Sequence, residues 1–363
     1  MKITCEKKYL SSALSSTGRA VSARNTLPVL ANILLETQDD RVKLTATDLD
    51  TAIRSTIPAQ VGENGAVAVP AHLLADVVSK LPDAPITLEH TDGKMKVRCG
   101  KSDYTVLCLP AEDYPAVPEV NDGIEFTVDQ RVLKDVLHHT TFAASNEETR
   151  SLLMGVLFEA NKGSLRGVAT DTHRLAWKQV DGLDIDTKGS CVIPSKPLTE
   201  LSRMLTGDAP VTVRFGSSQA QFETPDVTLV SRLLDGQFPN YDKVIPKAPE
   251  RKAVADRAQL LAAVQRVYIV AKGAAEKAIF KFEKDLLTIS AESPEVGKAY
   301  EEVPITLDGE ELTIAYNARY LVNVLNILSS ETVSIEMTGN LNPGIVRKGD
   351  SNDFLYVVMP MQV

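Results

Sequence analysis

Thr170-Asp171-Thr172-His173-Arg174 sets two hydroxyls, a carboxylate, an imidazole and a guanidinium within five residues. Such density is what acid–base or metal-assisted chemistry requires. Asp48-Leu49-Asp50 adds a second acidic pair with the look of a metal motif. One reading is therefore an enzyme, a metal-dependent phosphodiesterase that uses Asp48, Asp171 and His173 to hold cations near DNA. His138 and His139 are adjacent, and on a helix neighbours point about 100° apart, so they do not readily share one metal ion. Cys5, Cys99, Cys108 and Cys191 form no C-x-x-C pair and have no histidine at ligand spacing, which reads as reduced core thiols. Trp177 reads as core, with a functional role as the alternative. No metal and no cofactor is expected.

The elements that position these residues decide between the readings. Asn32 to Asp50 (NILLETQDDRVKLTATDLD) and Gly155 to His173 (GVLFEANKGSLRGVATDTH) align without a gap at a spacing of 123. Leu34/Leu157, Glu36/Glu159, Ala46/Ala169, Thr47/Thr170 and Asp48/Asp171 are identical, and both segments alternate apolar and polar residues about a turn, as β-hairpins do. A third copy, IFKFEKDLLTISAESPE from Ile279, carries Glu292-Ser293 in place of Thr-Asp. Repeated placement argues that Asp48 and Asp171 serve a turn rather than catalysis.

Two helices recur around each hairpin. The first carries Leu10 and Leu14, Leu133 and Leu137, then Leu260 and Val264. The second carries Leu74, Val77 and Leu81, Leu198, Leu201 and Leu205, then Leu321, Val324 and Leu328, always at i, i+3, i+7. Asp129, Asp256, Ser195 and Asn317 are candidate caps, with Glu6 a weaker one, and Pro197 falls in a first turn where a missing N–H costs nothing. The spacing predicts helices over 7–18, 71–81, 130–140, 195–206, 256–271 and 317–328. Proline-rich exits at 109–123 and 238–250 place domain cuts near 122 and 250, giving domains 1–122, 123–250 and 251–363. The expected fold is α+β, in three tandem copies.

A net charge of −9 argues against a nucleic-acid partner only if the charge is evenly spread. It is not. The six helices hold ten basic residues against four acidic ones, a balance of +6, so strands and loops carry −15. A basic helical layer beside an acidic sheet layer fits a polyanion on one face, although solvated helix faces are commonly basic in any case. No helix-turn-helix, zinc-finger or aromatic single-strand pattern occurs, so contact would be with phosphates and not bases. The alternating N-terminus MKITCEKKYL is no secretory signal, and no stretch approaches a membrane span; a cytoplasmic protein is expected.

TLPVLANILLE (26–36), VATDTHRLA (168–176), LLDGQFPNYDKVIP (233–246) and VVMPM (357–361), together with the threefold repeat, make the full chain resemble the bacterial DNA polymerase III β subunit family, the replicative sliding clamps. The resemblance implies three DNA-clamp domains per subunit and a head-to-tail homodimer, helices lining a ring and antiparallel sheets outside. It implies duplex DNA bound without sequence preference, and a non-catalytic processivity role on the nucleoid. The partners it implies are the replicative polymerase α subunit, the clamp loader δ subunit, and other polymerases and repair proteins that carry clamp-binding peptides. The peptide pocket it implies comprises Leu153, Thr170, Thr172, His173, Arg174, Leu175, Pro239, Lys243, Val244, Leu341, Pro343, Val357, Met359, Pro360 and Met361. Thr172 departs from the family's glycine and Lys243 from its arginine, which bears on peptide preference. Arg24, Arg150, Lys196 and Arg203 are the implied DNA contacts, while Ser151 and Leu152 stand where some relatives have tyrosines. Tyr104 and Val106 are expected to face Ile269 and Val270 across the subunit junction. A third reading, a repeat scaffold that binds proteins without DNA, differs in having no topological hold on a DNA circle.

Overall fold

The computed structural model of the chain describes residues 1–21, 27–349 and 351–362. The first copy runs β1 (Lys2–Cys5), α1 (Lys7–Thr17), β2 (Asn32–Gln38), β3 (Arg41–Thr47), β4 (Thr51–Pro58), β5 (Gln60–Glu63), β6 (Ala66–Pro70), α2 (Ala71–Lys80), β7 (Ile86–Thr91), β8 (Lys94–Cys99) and β9 (Ser102–Leu107). The second runs β10 (Ile124–Asp129), α3 (Gln130–Thr140), β11 (Gly155–Asn161), β12 (Ser164–Thr170), β13 (Arg174–Asp181), β14 (Gly189–Pro194), α4 (Ser195–Met204), β15 (Pro210–Phe215), β16 (Gln219–Glu223) and β17 (Val227–Arg232). The third runs β18 (Arg251–Asp256), α5 (Arg257–Ala271), β19 (Lys277–Phe282), β20 (Leu286–Ser293), β21 (Gly297–Asp308), β22 (Leu312–Asn317), α6 (Ala318–Ile327), β23 (Thr332–Met337), β24 (Gly344–Lys348) and β25 (Phe354–Val358).

All six expected helices form, within two residues of the expected ends. Their apolar stripes are buried, with one exception: Val77 is half-buried and Val78 enters the core instead. Over ten residues α2 turns far enough that i+4 points inward better than i+3. Asp256 caps α5 through Gln259 N (2.8 Å), and Asn317 caps α6 through Arg319 N (3.0 Å) and Tyr320 N (3.3 Å). Glu6 makes no side-chain cap bond; Lys7 Nζ instead reaches the carbonyls of Ser79 and Leu81, satisfying the C-terminus of α2.

Contacts divide the chain into two compact units, Met1–Arg131 with Lys196–Leu233, and Val132–Ser195 with Leu234–Val363. The first unit holds a five-stranded sheet, β5-β1-β7-β8-β9, and an eight-stranded sheet, β10-β15-β16-β17-β4-β3-β2-β6. The latter fuses two copies at one seam, where β17 pairs antiparallel with β4 from Val227↔Ser55 to Ser231↔Thr51. The second unit holds one twelve-stranded sheet, β14-β11-β12-β13-β25-β24-β23-β18-β21-β20-β19-β22. Its seam is β13 against β25, from Arg174↔Val358 to Lys178↔Phe354. The twelve-residue β21 pairs with β20 over Gly297–Pro304 and with β18 over Ile305–Asp308, so its first part has a neighbour on one side only.

Candidate peptide-binding site

The residues that first suggested catalysis build a turn. Asp171 Oδ1 accepts from His173 N and Arg174 N (both 3.0 Å), and Thr170 Oγ1 accepts from Thr172 N (3.2 Å) and donates to Arg174 O (2.6 Å). In the first copy Asp48 Oδ1 accepts from Asp50 N (3.1 Å) and Thr51 N (2.7 Å), while Thr47 Oγ1 bonds Leu49 N (3.0 Å) and Thr51 O (2.9 Å). The third copy keeps the pattern with a hydroxyl: Ser293 Oγ accepts from Glu295 N and Val296 N, both at 3.4 Å. One acceptor serving the amides two and three residues on is a side-chain-stabilised turn, made three times. His139 is buried on Asp135 and packs against Phe354 (ring centroids 4.9 Å), and no metal-holding cluster of His, Cys, Asp or Glu occurs among the described residues. Burial pushes the Cys5 thiol up to about 12 and Cys108 to about 11, which keeps both inert at neutral pH.

Beside the second turn lies an apolar cleft of about 170 Å³. Thr170, Thr172, Arg174 and Leu175 form one wall; Pro239, Tyr241 and Val244 face them, with Val357 and Met359 from the C-terminal strand. The seam brings the walls together, since Leu175 pairs with Val357 and Met359 N donates to His173 O (2.9 Å). Leu153 lies beneath, in a core cluster shared with Leu175, Phe238, Tyr241 and Val357. His173, Lys243, Leu341, Pro343, Pro360 and Met361 do not line this cleft; Leu341 is 76% exposed, and Met361 N is tied to Ala315 O (2.8 Å). Trp177 packs against the same cluster, with the Arg166 guanidinium 5.3 Å over its ring, and does not line the cleft.

Tyr241 is the wall residue that the sequence reading missed. Its hydroxyl donates to Glu159 Oε2 (2.6 Å) and accepts from Arg166 Nη1 (2.7 Å), so its ring is fixed from behind. Burial and Glu159 push the phenol up to about 12, keeping it protonated. The available signal was its place in the quoted FPNYDKVIP motif, between two residues that were assigned. Arg174, also in the wall, is held by Asp171 Oδ2 (2.9 Å) and lies 4.6 Å over the Tyr320 ring of α6.

Arg24 lies outside the described residues. Lys196 is exposed on the first turn of α4, and Arg203, exposed on its last turn, pairs with Glu200 (2.6 Å). Arg150 bonds Thr172 Oγ1 at 2.9 Å. In the first unit, a groove of about 810 Å³ runs along the outer face of α1, past Lys7, Lys8, Ser11, Ser15 and Arg19, to Arg203. Tyr104 and Ile269 are exposed, Val270 is half-buried and Val106 is buried, at 3% exposure; Leu107, at the end of β9, is 70% exposed.

Three tandem α+β copies and a small apolar cleft on a sheet seam define a clamp-type protein. The chain matches the N-terminal, central and C-terminal domains of the DNA polymerase III beta subunit over residues 1–118, 127–240 and 242–362. It is 34% identical to the beta sliding clamps of Pseudomonas aeruginosa PAO1, over 367 residues, and Escherichia coli K12, over 366, with 100% of each chain covered. A crystal structure of the Pseudomonas aeruginosa DNA polymerase III subunit beta superposes with a TM-score of 0.96 at 34% identity, covering 100% of both chains. The Thermotoga maritima beta subunit gives 0.95 at 28% identity, covering 100% of this chain and 99% of that one. The chain belongs to the DNA polymerase III beta subunit family, the sliding clamps.

Proposed function

We propose that two copies of this chain join head to tail into a six-domain ring around duplex DNA, helices inward and sheets outward, and act as a non-catalytic processivity factor. The domains are 1–122, 123–250 and 251–363, and the ring works in the cytoplasm, on the nucleoid. The cleft receives short peptides from the replicative polymerase, the clamp loader and other DNA-handling proteins. Arg24, Arg150, Lys196 and Arg203, with the basic and serine-rich face of α1, meet phosphates without reading bases.

The observation that carries this reading is a pair of unmatched strand edges. The fourth strand of copy one takes the last strand of copy two (β4 with β17), and the fourth strand of copy two takes the last strand of copy three (β13 with β25). Continuing the rule, the first part of β21 needs a last strand of copy one, and β9 is the edge of its own sheet. A second copy supplies both partners, and the head-to-tail pairing closes. Exposed Tyr104 and Leu107 on β9, with Ile269, Val296 and Tyr300 in the third copy, support contact at these edges. The turn acceptor common to all three copies supports a structural role for Asp48 and Asp171 over catalysis.

Sedimentation equilibrium at micromolar concentration tests the pairing. The expected mass is twice 39.4 kDa, and Leu107→Asp with Tyr300→Asp is expected to give monomers. A monomeric native chain overturns the ring. Deleting Met359 to Val363 is expected to abolish peptide binding while the dimer persists; unchanged peptide affinity by calorimetry would refute the assignment of the cleft.

A further inference from the structure

Lys7, Lys8, Arg19 and Arg203 line the groove along α1, and each already has a partner inside the protein. Lys7 Nζ meets the carbonyls of Ser79 and Leu81, and Lys8 Nζ lies 4.8 Å over the Tyr9 ring. Those partners are uncharged, so both ammonium groups keep their charge. The arginines differ. Arg19, in the 3-10 turn Gly18–Ala20 that follows α1, places its Nη1 2.6 Å from Glu200 Oε2. Arg203, three residues along α4 from Glu200, places its Nη1 2.6 Å from the other oxygen, Oε1. One carboxylate thus holds two guanidiniums, one from the first copy and one from the second. Glu200 does not itself line the groove. Its side chain is 20% exposed, against 30% for Arg19 and 58% for Arg203, so it stands behind the two cations that it holds.

A guanidinium fork suits a phosphate as well as a carboxylate, so a phosphate that enters the groove competes with Glu200 for the same donors. The three side chains together present one positive charge and not two. Partly exposed ion pairs are weak and exchange readily, so Glu200 tempers the arginines without locking them. A ring held by topology needs no tight phosphate contact, and every such contact must break before the ring can move along the duplex.

We propose that Glu200 is an internal competitor for DNA phosphates, which keeps Arg19 and Arg203 weak enough for the duplex to slide through the groove. The proposal rests on the DNA-encircling reading.

Binding of the full-length protein to a short linear duplex, followed by fluorescence anisotropy between about 50 and 200 mM salt, tests it. Linear DNA removes the topological hold, so phosphate contacts alone are read. Glu200→Gln is expected to bind about three to ten times more tightly than the native protein at low salt, and to steepen the salt slope by about one, because the carboxylate no longer offsets one of the two guanidiniums. Tracking of single labelled rings is expected to show slower diffusion along DNA. Adding Arg19→Gln removes the surplus charge and is expected to restore the native slope, with affinity within about twofold of native; Glu200→Asp, which keeps the carboxylate, is expected to behave likewise. A mere strut between the copies would instead lower the melting temperature and leave the slope alone. The melting temperature of Glu200→Gln is expected to move by no more than about 4 °C, the scale of an exposed pair. Native or weaker affinity in Glu200→Gln, or unchanged diffusion, overturns the proposal. If the native protein is not retained on a nicked circle either, the DNA-encircling reading itself fails and the proposal with it.

Discussion

Replacing Lys178 by methionine removes a cation buried at the seam that forms the cleft. Its side chain is 5% exposed, and its Nζ lies 2.7 Å from Asp135 Oδ2 on α3 and 2.5 Å from Asp353 Oδ2 just before β25. Burial raises the Asp135 carboxyl, but bonds from His139 and Lys178 outweigh it and hold the group well below the usual carboxylate range. Asp353 is lowered in the same way, burial being outweighed by Lys178 and Ser351, and burial of Lys178 is outweighed by the two carboxylates, which raise it. Without the lysine, two carboxylate oxygens no more than about 5 Å apart face each other, a repulsion on the order of 3 kcal/mol at an effective dielectric near 20. Both carboxylates are about 40% exposed, so water screens part of it, leaving about 2 kcal/mol. For a unit of about 200 residues that corresponds to a fall in Tm of roughly 4–8 °C.

The sign with pH follows from the shifts. Depressed carboxylates stabilise the fold above their unfolded pKa and lose that contribution as pH falls through the folded value; the raised lysine stabilises below its unfolded pKa and loses it as pH rises through the folded value. The gap between native and Lys178→Met is therefore widest from about pH 5 to 10 and closes in acid. Calorimetric melts at fixed protein concentration, from pH 2 to 9, measure it. A Tm gap that is absent at pH 7, or that persists unchanged in acid, would refute the reasoning.

Gly344→Ala would drive a Cβ into the hydroxyl of fully buried Tyr316, so a loss of about 1–3 kcal/mol is expected in urea titrations; a neutral result means that β24 shifts freely. Asp171→Ala removes the acceptor of two turn amides and the partner of Arg174, and is expected to weaken peptide binding at least tenfold by calorimetry while Mg²⁺- or Mn²⁺-dependent DNA hydrolysis stays absent. Hydrolysis in the native protein that this substitution abolishes would favour the enzyme reading instead. Tyr241→Phe, which cuts the ring loose from Glu159 and Arg166, is expected to lower peptide affinity about threefold with little change in Tm.

The repeats, the six helices and the core stripes were legible because each obeys a local period, and periodicity survives without knowledge of contacts. Leu10 and Leu14 announce a buried helix face on their own. The division into compact units was not legible. It depends on β17 meeting β4 and β25 meeting β13, pairings between strands that are far apart in sequence and carry no local signal. The cleft lay between these extremes: its walls came from quoted motifs, but Tyr241 needed the Glu159–Arg166 contact to show that its ring is held toward them. Along β9, alternation says that there are two faces, and only the packing says that Val106 is buried while Tyr104 and Leu107 are exposed.

Retention on DNA tests the ring most directly. Loaded onto a nicked circle, the native dimer is expected to stay bound through moderate salt and to escape once the circle is cut into a linear molecule, because topology holds it and ion pairs do not. A protein that leaves the intact circle as salt rises, or that stays equally well on linear DNA, contradicts the account.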